Sequence, residues 1–409
     1  MLVTATLSDS DHSKLTATEK LSQDQVGPED ESAAVAKFSK SFKVIPILDL
    51  ALLRGSPAEK ASFLEQFRDV MMTCGFLYIK NTGVSDDLQK RIYDVVVKTF
   101  ALPREEKVKF AIEKSPVFKG WNELGKEVTY GKNDMRELVG IGYDNRLRLP
   151  SEPLWFNNLG PWNVPTDEQV PNFRATVTEY LAAMHNLALE LLHAVAATLG
   201  LAPTYFDELW LNDETGREAS HFQFNHYPSI DTESNPEWAE NLGDAAHQDD
   251  DIVTILAQDM VGGLQVQNFD GDWIDVKPIE GTMVCNLGSF LEAVTGGRYI
   301  ATSHRVRLNT SGKSRYSWPY FLQPKITTAR WVEPLPDEML PEEVRNYKPD
   351  VKNRYEAMEF NRKIAKTIGE YMFYVKQMKS YPEAKEIHYP DVDWVKELNI
   401  DPVLAKRFL

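Results

Sequence analysis

The sequence predicts a mainly β fold with flanking α-helices, its core a jelly roll (a double-stranded β-helix). Three observations carry that expectation. Between residues 221 and 322, short apolar runs alternate with turns at nearly even spacing, which suits a rolled antiparallel sheet better than a parallel one. The turns are marked by Gly262-Gly263, Asp270-Gly271, Gly281 and Gly296-Gly297. Upstream, Pro171–Gly200 carries Phe173, Val177, Leu181, Met184, Ala188, Leu191 and Val195 at helical spacing, with Gly200 as its C-terminal cap, so a long buried helix should back the sheet.

Residues 1–40 are rich in Ser, Thr, Asp, Glu and Lys and read as a disordered tail, with at most a short helix near Ala33–Phe38. Order begins at Val44–Asp49, an opening strand whose Pro46 cannot donate to a ladder and so belongs at a sheet edge. Ser56–Thr73 spaces Phe63, Phe67, Val70 and Met71 as an amphipathic helix. Cys74–Lys80 follows as a strand and Asn81-Thr82-Gly83 as its turn; Ser85–Ala101 is a second helix, and Pro103 opens a third. Gly120–Gly131 is a glycine-punctuated loop and strand, and Trp155–Val170 a long connector. The strands expected in the core are His221–Tyr227, Ile252–Gln258, Leu264–Asn268, Trp273–Lys277, Thr282–Leu287, Ile300–Ser303 and Ser314–Leu322. A Pro- and acid-rich arm follows, then a last helix near Val351–Lys379. The organisation is thus a tail over 1–40, an N-terminal α/β region over 41–200 packing on the core, a jelly-roll core over 201–325, and an arm and helix over 326–409.

Composition narrows the function classes. The 409 residues carry a formal net charge of −16 and no Lys/Arg-rich tract, which argues against a nucleic-acid partner. Two cysteines, Cys74 and Cys285, make no disulfide scaffold and fit a reducing compartment. With no secretory leader pattern and no run of about 18 apolar residues, the sequence reads as cytoplasmic, with no membrane association, and as a monomer or weak homo-oligomer.

The chemistry concentrates between Ala245 and Pro324. In His247-Gln248-Asp249 the outer side chains are two apart, so a shared strand would put both on one face. His304 lies far enough along for several antiparallel strands to run out and return. Two imidazoles and a carboxylate suit a non-haem iron(II) site that keeps coordination positions open. Asp250 and Asp251 compete as ligands, but Asp250 has the wrong parity and Asp251 lies farther along, so Asp249 is expected. Arg315 and Ser317 are also two apart on a strand; a guanidinium fork with a neighbouring hydroxyl suits a carboxylate. His185 and His193 fall on the long helix and read as structural. His221 and His226 are alternative ligand candidates but lack a partnered H-x-D, His12 and His388 lie in no motif, and Arg305 and Arg307 read as outward-facing or as standing behind His304.

The order H-x-D, a long gap, H, a short gap, R-x-S resembles the iron(II)/2-oxoglutarate-dependent dioxygenase superfamily, in its isopenicillin N synthase-like branch. The opening V-I-P-I-L-D strand and Cys74-Gly-Phe-Leu-Tyr-Ile-Lys-Asn81 resemble that branch too, with Thr82 where it carries His. The resemblance implies that Fe(2+) is held by His247, Asp249 and His304, and that the co-substrate 2-oxoglutarate lies on Arg315 and Ser317. Asn225-His-Tyr227-Pro resembles the family's N-x-Y-P strand, which implies further 2-oxoglutarate contacts from Tyr227 and Asn225. In that family a C-terminal helix covers the barrel mouth, so residues 326–409 could serve as a lid. The implied activity is oxidation of a C–H bond of a small organic molecule with O2, giving succinate and carbon dioxide as co-products. The alternatives are an isopenicillin N synthase-like oxidase that uses no 2-oxoglutarate, an ethylene-forming variant, and a non-catalytic metabolite sensor. Gly125-Lys-Glu127-Val-Thr resembles microbial ethylene-forming enzymes, which implies a substrate contact at Glu127. Gln223, where those enzymes place an arginine, argues against ethylene formation. Arg136, Phe222, Phe224 and Phe290 are candidate pocket residues by position, although the parity of Phe222 and Phe224 points them away from Tyr227.

Overall fold

Two facing β-sheets enclose one cavity, and helices cover the outside of the larger sheet. The computed structural model describes residues 41–129, 132–211, 219–329, 333–347 and 364–400. The expected tail over 1–40, with its short helix, lies outside the described residues. The strands are β1 (Ile47–Asp49), β2 (Phe76–Lys80), β3 (Gly120–Asn122), β4 (Val128–Thr129), β5 (Lys132–Asn133), β6 (Glu137–Gly142), β7 (His221–Tyr227), β8 (Leu242–His247), β9 (Val253–Gln258), β10 (Leu264–Gln267), β11 (Trp273–Asp275), β12 (Thr282–Leu287), β13 (His304–Arg307) and β14 (Arg315–Leu322). Among the described residues, eight of them form the larger sheet in the order β1-β2-β12-β9-β14-β7-β6-β3, and four form the smaller, β11-β10-β13-β8. β4 and β5 make a separate hairpin. This is the expected jelly-roll core, with β1, which begins just after Pro46, at the sheet edge.

Helices α1 (Pro57–Thr73), α2 (Asp86–Ala101) and α3 (Phe173–Thr198) sit where the apolar periodicity predicts them. α1 starts at a reciprocal capping box between Ser56 and Glu59, with Pro57 in the first turn where its missing N–H costs nothing. α3 is apolar and long enough, by composition alone, to cross a bilayer, but 56% of its most apolar window is buried in the fold. Its Tyr180 stacks on Phe222 at 5.2 Å between ring centroids, and Phe173 meets Phe224 edge-on at 6.3 Å. Those contacts fix the register of β7. Phe222 and Phe224 face the helix, so by alternation Gln223, Asn225 and Tyr227 face the cavity.

Three expectations are corrected. The strand placed at Ile300–Ser303 begins at His304 instead: Ile300 N–H donates to Met71 O and the Thr302 hydroxyl to Cys74 O, so this stretch is tied to the α1–β2 connection rather than paired in a ladder. The strand carrying His247 ends there, so Asp249 is not on it. Phe290 lies in a short helix, α4 (Ser289–Val294), fully buried in the apolar core. The last helix is described from Ile368: Ile368–Glu370 runs through a π-helical stretch, Tyr371–Gln377, into Met378–Ser380. We call this continuous helix α5; α6 (Pro382–His388) follows. The part of the expected helix before residue 364 lies outside the described residues.

Candidate active site

β8 and β13 pair directly, with His247 opposite His304. Their ring centroids are 4.4 Å apart. Each ring's Nδ1 faces a backbone carbonyl two residues back, Ala245 O at 2.7 Å and Thr302 O at 3.1 Å. A carbonyl only accepts, so each Nδ1 carries the hydrogen and each Nε2 can present a lone pair. Both Nε2 atoms converge on Asp249 Oδ1, at 3.6 Å from His247 and 3.5 Å from His304. One donor atom from each residue lies within 4.8 Å of the others, the spacing of ligands around a single ion. Two imidazoles and one carboxylate are the donor set of a non-haem iron(II) site with open positions, so the residues fit the metal.

Asp249 is held from beyond its own strand. Its Oδ2 accepts from Thr254 Oγ1 at 2.5 Å and from Asn286 Nδ2 at 2.8 Å. Thr254 Oγ1 also contacts Asp251 Oδ2 at 2.7 Å. One hydroxyl hydrogen cannot serve two carboxylates. Burial, then the neighbouring Asp249, pushes the Asp251 carboxyl well above the usual carboxylate range, so Asp251 donates and Thr254 passes its own hydrogen to Asp249. Asp249 is pulled the other way: burial opposes its charge, but His304, His247 and Thr254 outweigh it and hold it ionised. Burial likewise disfavours a charged His247, yet Asp244 and Asp249 prevail and raise it to about 10, whereas burial depresses His304.

The cavity around these ligands measures about 1420 Å³ and is lined by both sheets and by the segment after β14. Arg315 stands on its larger-sheet wall, 1% exposed. Its Nη2 donates to Gln258 Oε1 at 3.0 Å, while Nε and Nη1 are buried without an acceptor among the described residues. Leaving such donors unmatched costs about 1–3 kcal/mol each, more for a charged group, so the site fits an anion from outside the described residues. Ser317 lies two residues on and accepts from Asn225 Nδ2 at 3.5 Å. Tyr227, across the ladder from Arg315, presents its ring to the guanidinium at 4.7 Å. The four residues expected around 2-oxoglutarate thus share one wall.

Of the five candidate pocket residues, Glu127 and Arg136 line the same cavity. Arg136 is buried between Glu127 Oε2, 2.7 Å from its Nη2, and Asp244 Oδ2, 2.5 Å from its Nη1. That same Nη1 also reaches the Tyr227 hydroxyl at 3.4 Å. Phe290 does not reach the cavity: β12 ends at Leu287, and Gly288 turns the chain into α4 with the ring in the core. His226, weighed as a ligand, instead pairs with Glu137 at 2.7 Å on the sheet's other face.

Several cavity residues carry little signal in the sequence. Asp244 precedes the first ligand by three residues in a stretch whose one large apolar residue is Leu242, so little marks it as buried. Thr254 and Asn286 each sit in an apolar strand pattern and are revealed only by pairing across the sheet. From α5, Tyr371, Val375, Lys376 and Met378 line the cavity, and the Lys376 ammonium pairs with Asp250 beside the metal ligands. Tyr381 reaches back to Glu127 Oε1 at 3.3 Å, and Lys126 reaches forward to Glu383 at 2.7 Å.

Comparison with known proteins agrees with this geometry. Residues 219–324 match the family model of the 2OG-Fe(II) oxygenase superfamily, and residues 45–166 match one described as non-haem dioxygenase in morphine synthesis N-terminal. The chain is 36% identical over 286 residues, 69% of its length and 74% of the other, to a 2-oxoglutarate-dependent dioxygenase of Dothideomycetidae sp. (strain 11243). It is 31% identical to a homoarginine-6-hydroxylase of Glycine max, covering 73% of this chain and 90% of that one. Among solved structures it resembles a full-length Neurospora crassa protein in complex with alpha-KG and 5-formyluracil, at a TM-score of 0.61 and 26% identity, covering 80% of this chain and 97% of that one.

Proposed function

The chain belongs to the 2OG-Fe(II) oxygenase superfamily, and from that premise we propose that it oxidises a C–H bond of a small polar organic molecule, with hydroxylation as the default outcome. It is a 2-oxoglutarate-dependent dioxygenase, an oxidoreductase that uses Fe(2+), held by His247, Asp249 and His304, and 2-oxoglutarate. When bound, the ion supplies the redox chemistry that couples O2 and 2-oxoglutarate decarboxylation, to succinate and carbon dioxide, to oxidation of the substrate.

The observation that carries the reading is Arg315. A buried guanidinium with two open nitrogens, in the same cavity as the three ligands, supports capture of the distal carboxylate of 2-oxoglutarate. Ser317 adds a directed hydroxyl, Asn225 orients that hydroxyl, and Tyr227 can donate its own hydrogen while accepting from Arg136. Glu127 and Arg136 form a polar patch of the wall against which the substrate lies. α5 and α6 line the outer part of the cavity, and displacing water there as substrate binds would strengthen the charge contacts inside. A small polar substrate is also supported by what the similar proteins are named for, homoarginine in one and bound 5-formyluracil in another. Gln223 on the cavity wall argues against ethylene formation as the main outcome.

The test is anaerobic addition of iron(II) and then 2-oxoglutarate to the purified chain. A weak visible charge-transfer band, lost in Asp249→Ala, is expected. Substrate turnover in oxygen without that band would mean an oxidase that needs no 2-oxoglutarate. Neither band nor turnover would leave a metabolite-binding protein.

A further inference from the structure

We propose that Thr254 and Asn286 are positioning residues that keep Asp249 a one-oxygen metal ligand, a proposal that rests on the iron(II) reading of the site. The two are neighbours in the ladder, Asn286 on β12 directly opposite Thr254 on β9. Both are nearly fully buried, and both side chains meet at Asp249 Oδ2.

The need for them follows from the backbone. β8 stops at His247, so no strand geometry aims Asp249 at the ion. The loop after it is pinned instead to the turn that follows β12: Ser289 N–H donates to Asp249 O at 2.8 Å and Gly288 N–H to Ile252 O at 3.0 Å. Gly288 is required there, because a Cβ would collide with the carboxylate and the carbonyl of Asp251. This anchoring places the carboxylate but leaves its rotation about the Cβ–Cγ bond open. The hydroxyl and the amide close that freedom.

A carboxylate oxygen offers about two lone-pair directions. At Oδ2 both are taken, one by Thr254 and one by Asn286, and only Oδ1 faces the two Nε2 atoms. A carboxylate free to turn could ligate through both oxygens and occupy a position that co-substrate or oxygen requires. Thr254 and Asn286 thereby protect the open side of the ion without touching it.

The test uses the full chain loaded with Mn(II), read by metal affinity and by water-proton relaxation, which counts exchangeable bound water. Thr254→Val and Asn286→Ala should each weaken Mn(II) binding by about ten- to a hundredfold. Each should also lower the relaxation per bound ion, as the second carboxylate oxygen displaces a water. Thr254→Ser, which keeps the hydroxyl, should stay near the parent in both. If the parent chain binds no metal, the iron(II) reading itself fails. If the parent binds and both variants match it, or if affinity falls with relaxation unchanged, the proposal is overturned. Should Thr254→Val not fold, the Asn286→Ala measurement decides alone.

Discussion

The guanidinium carbon of Arg315 lies 4.7 Å from the ring centroid of Tyr227, its cross-strand partner, and two of its nitrogens have no acceptor among the described residues. The fold therefore keeps an incompletely paired cation, which suits a dianionic co-substrate. Arg315→Gln should raise the 2-oxoglutarate Kd by two to four decades, the equivalent of the roughly 3–5 kcal/mol lost when a buried ion loses its partner. Thermal melting gives the second reading. Added to chains already saturated with Mn(II), 2-oxoglutarate should raise Tm of the parent and leave that of the variant unmoved, because only a ligand that binds the native state stabilises it.

Metal binding should release a proton. Before a metal binds, burial opposes a charged His247, but Asp244 and Asp249 raise it to about 10, so near neutral pH the ring is protonated. A metal takes only the neutral imidazole. Mn(II) affinity should then climb about tenfold per pH unit between pH 6 and 8, and calorimetry in buffers of different ionisation enthalpy should find about one proton released per ion. A flat profile would mean that His247 is already neutral.

Arg136 holds two carboxylates at once, Glu127 and Asp244. Burial works against its charge and both acids outweigh that, so it stays fully protonated. Arg136→Leu should lower unfolding stability by about 3–5 kcal/mol in denaturant titration, since it strands two buried anions. Adding Glu127→Gln should restore part of the loss. A substrate role for this wall would appear separately, as a higher KM in any variant that still folds.

Asp134 accepts from Ala245 N–H and from the Thr129 hydroxyl. Burial, then the nearby Asp244, raises its carboxyl to about 7, against about 3.9 in an unfolded chain. Between those values the folded state holds a proton that the unfolded state has lost, so stability falls as pH rises. The contribution is complete below about pH 4 and gone above about pH 7, with a slope of at most about 1.4 kcal/mol per pH unit. Asp134→Asn should remove that slope and be the more stable form at pH 8. Parallel curves for parent and variant from pH 4 to 8 would contradict it.

What the sequence makes legible is what local periodicity encodes. Apolar spacing locates α1, α2 and α3, and ligand order locates His247, Asp249 and His304. Alternation along β7 tells Tyr227 from Phe222 and Phe224. What stays hidden depends on partners distant in the chain. β8 reads Leu-Gly-Asp-Ala-Ala-His, with one large apolar residue, and becomes a strand because β13 offers it a ladder. The period-two argument puts Asp249 on the right side of the site for an incomplete reason, since the strand has already ended. Phe290 is misplaced because nothing in Gly288-Ser289-Phe290 announces that a strand has become a helix.

The cavity draws its ceiling from the end of the polypeptide and its floor from the middle. Tyr371 through Met378 hang over a site whose metal ligands and guanidinium all precede residue 320. The metal ligands and the guanidinium thus lie on one stretch of chain and part of the cavity lining on another. Exchanging residues of the later stretch would reshape that part of the lining while leaving the ligand set in place.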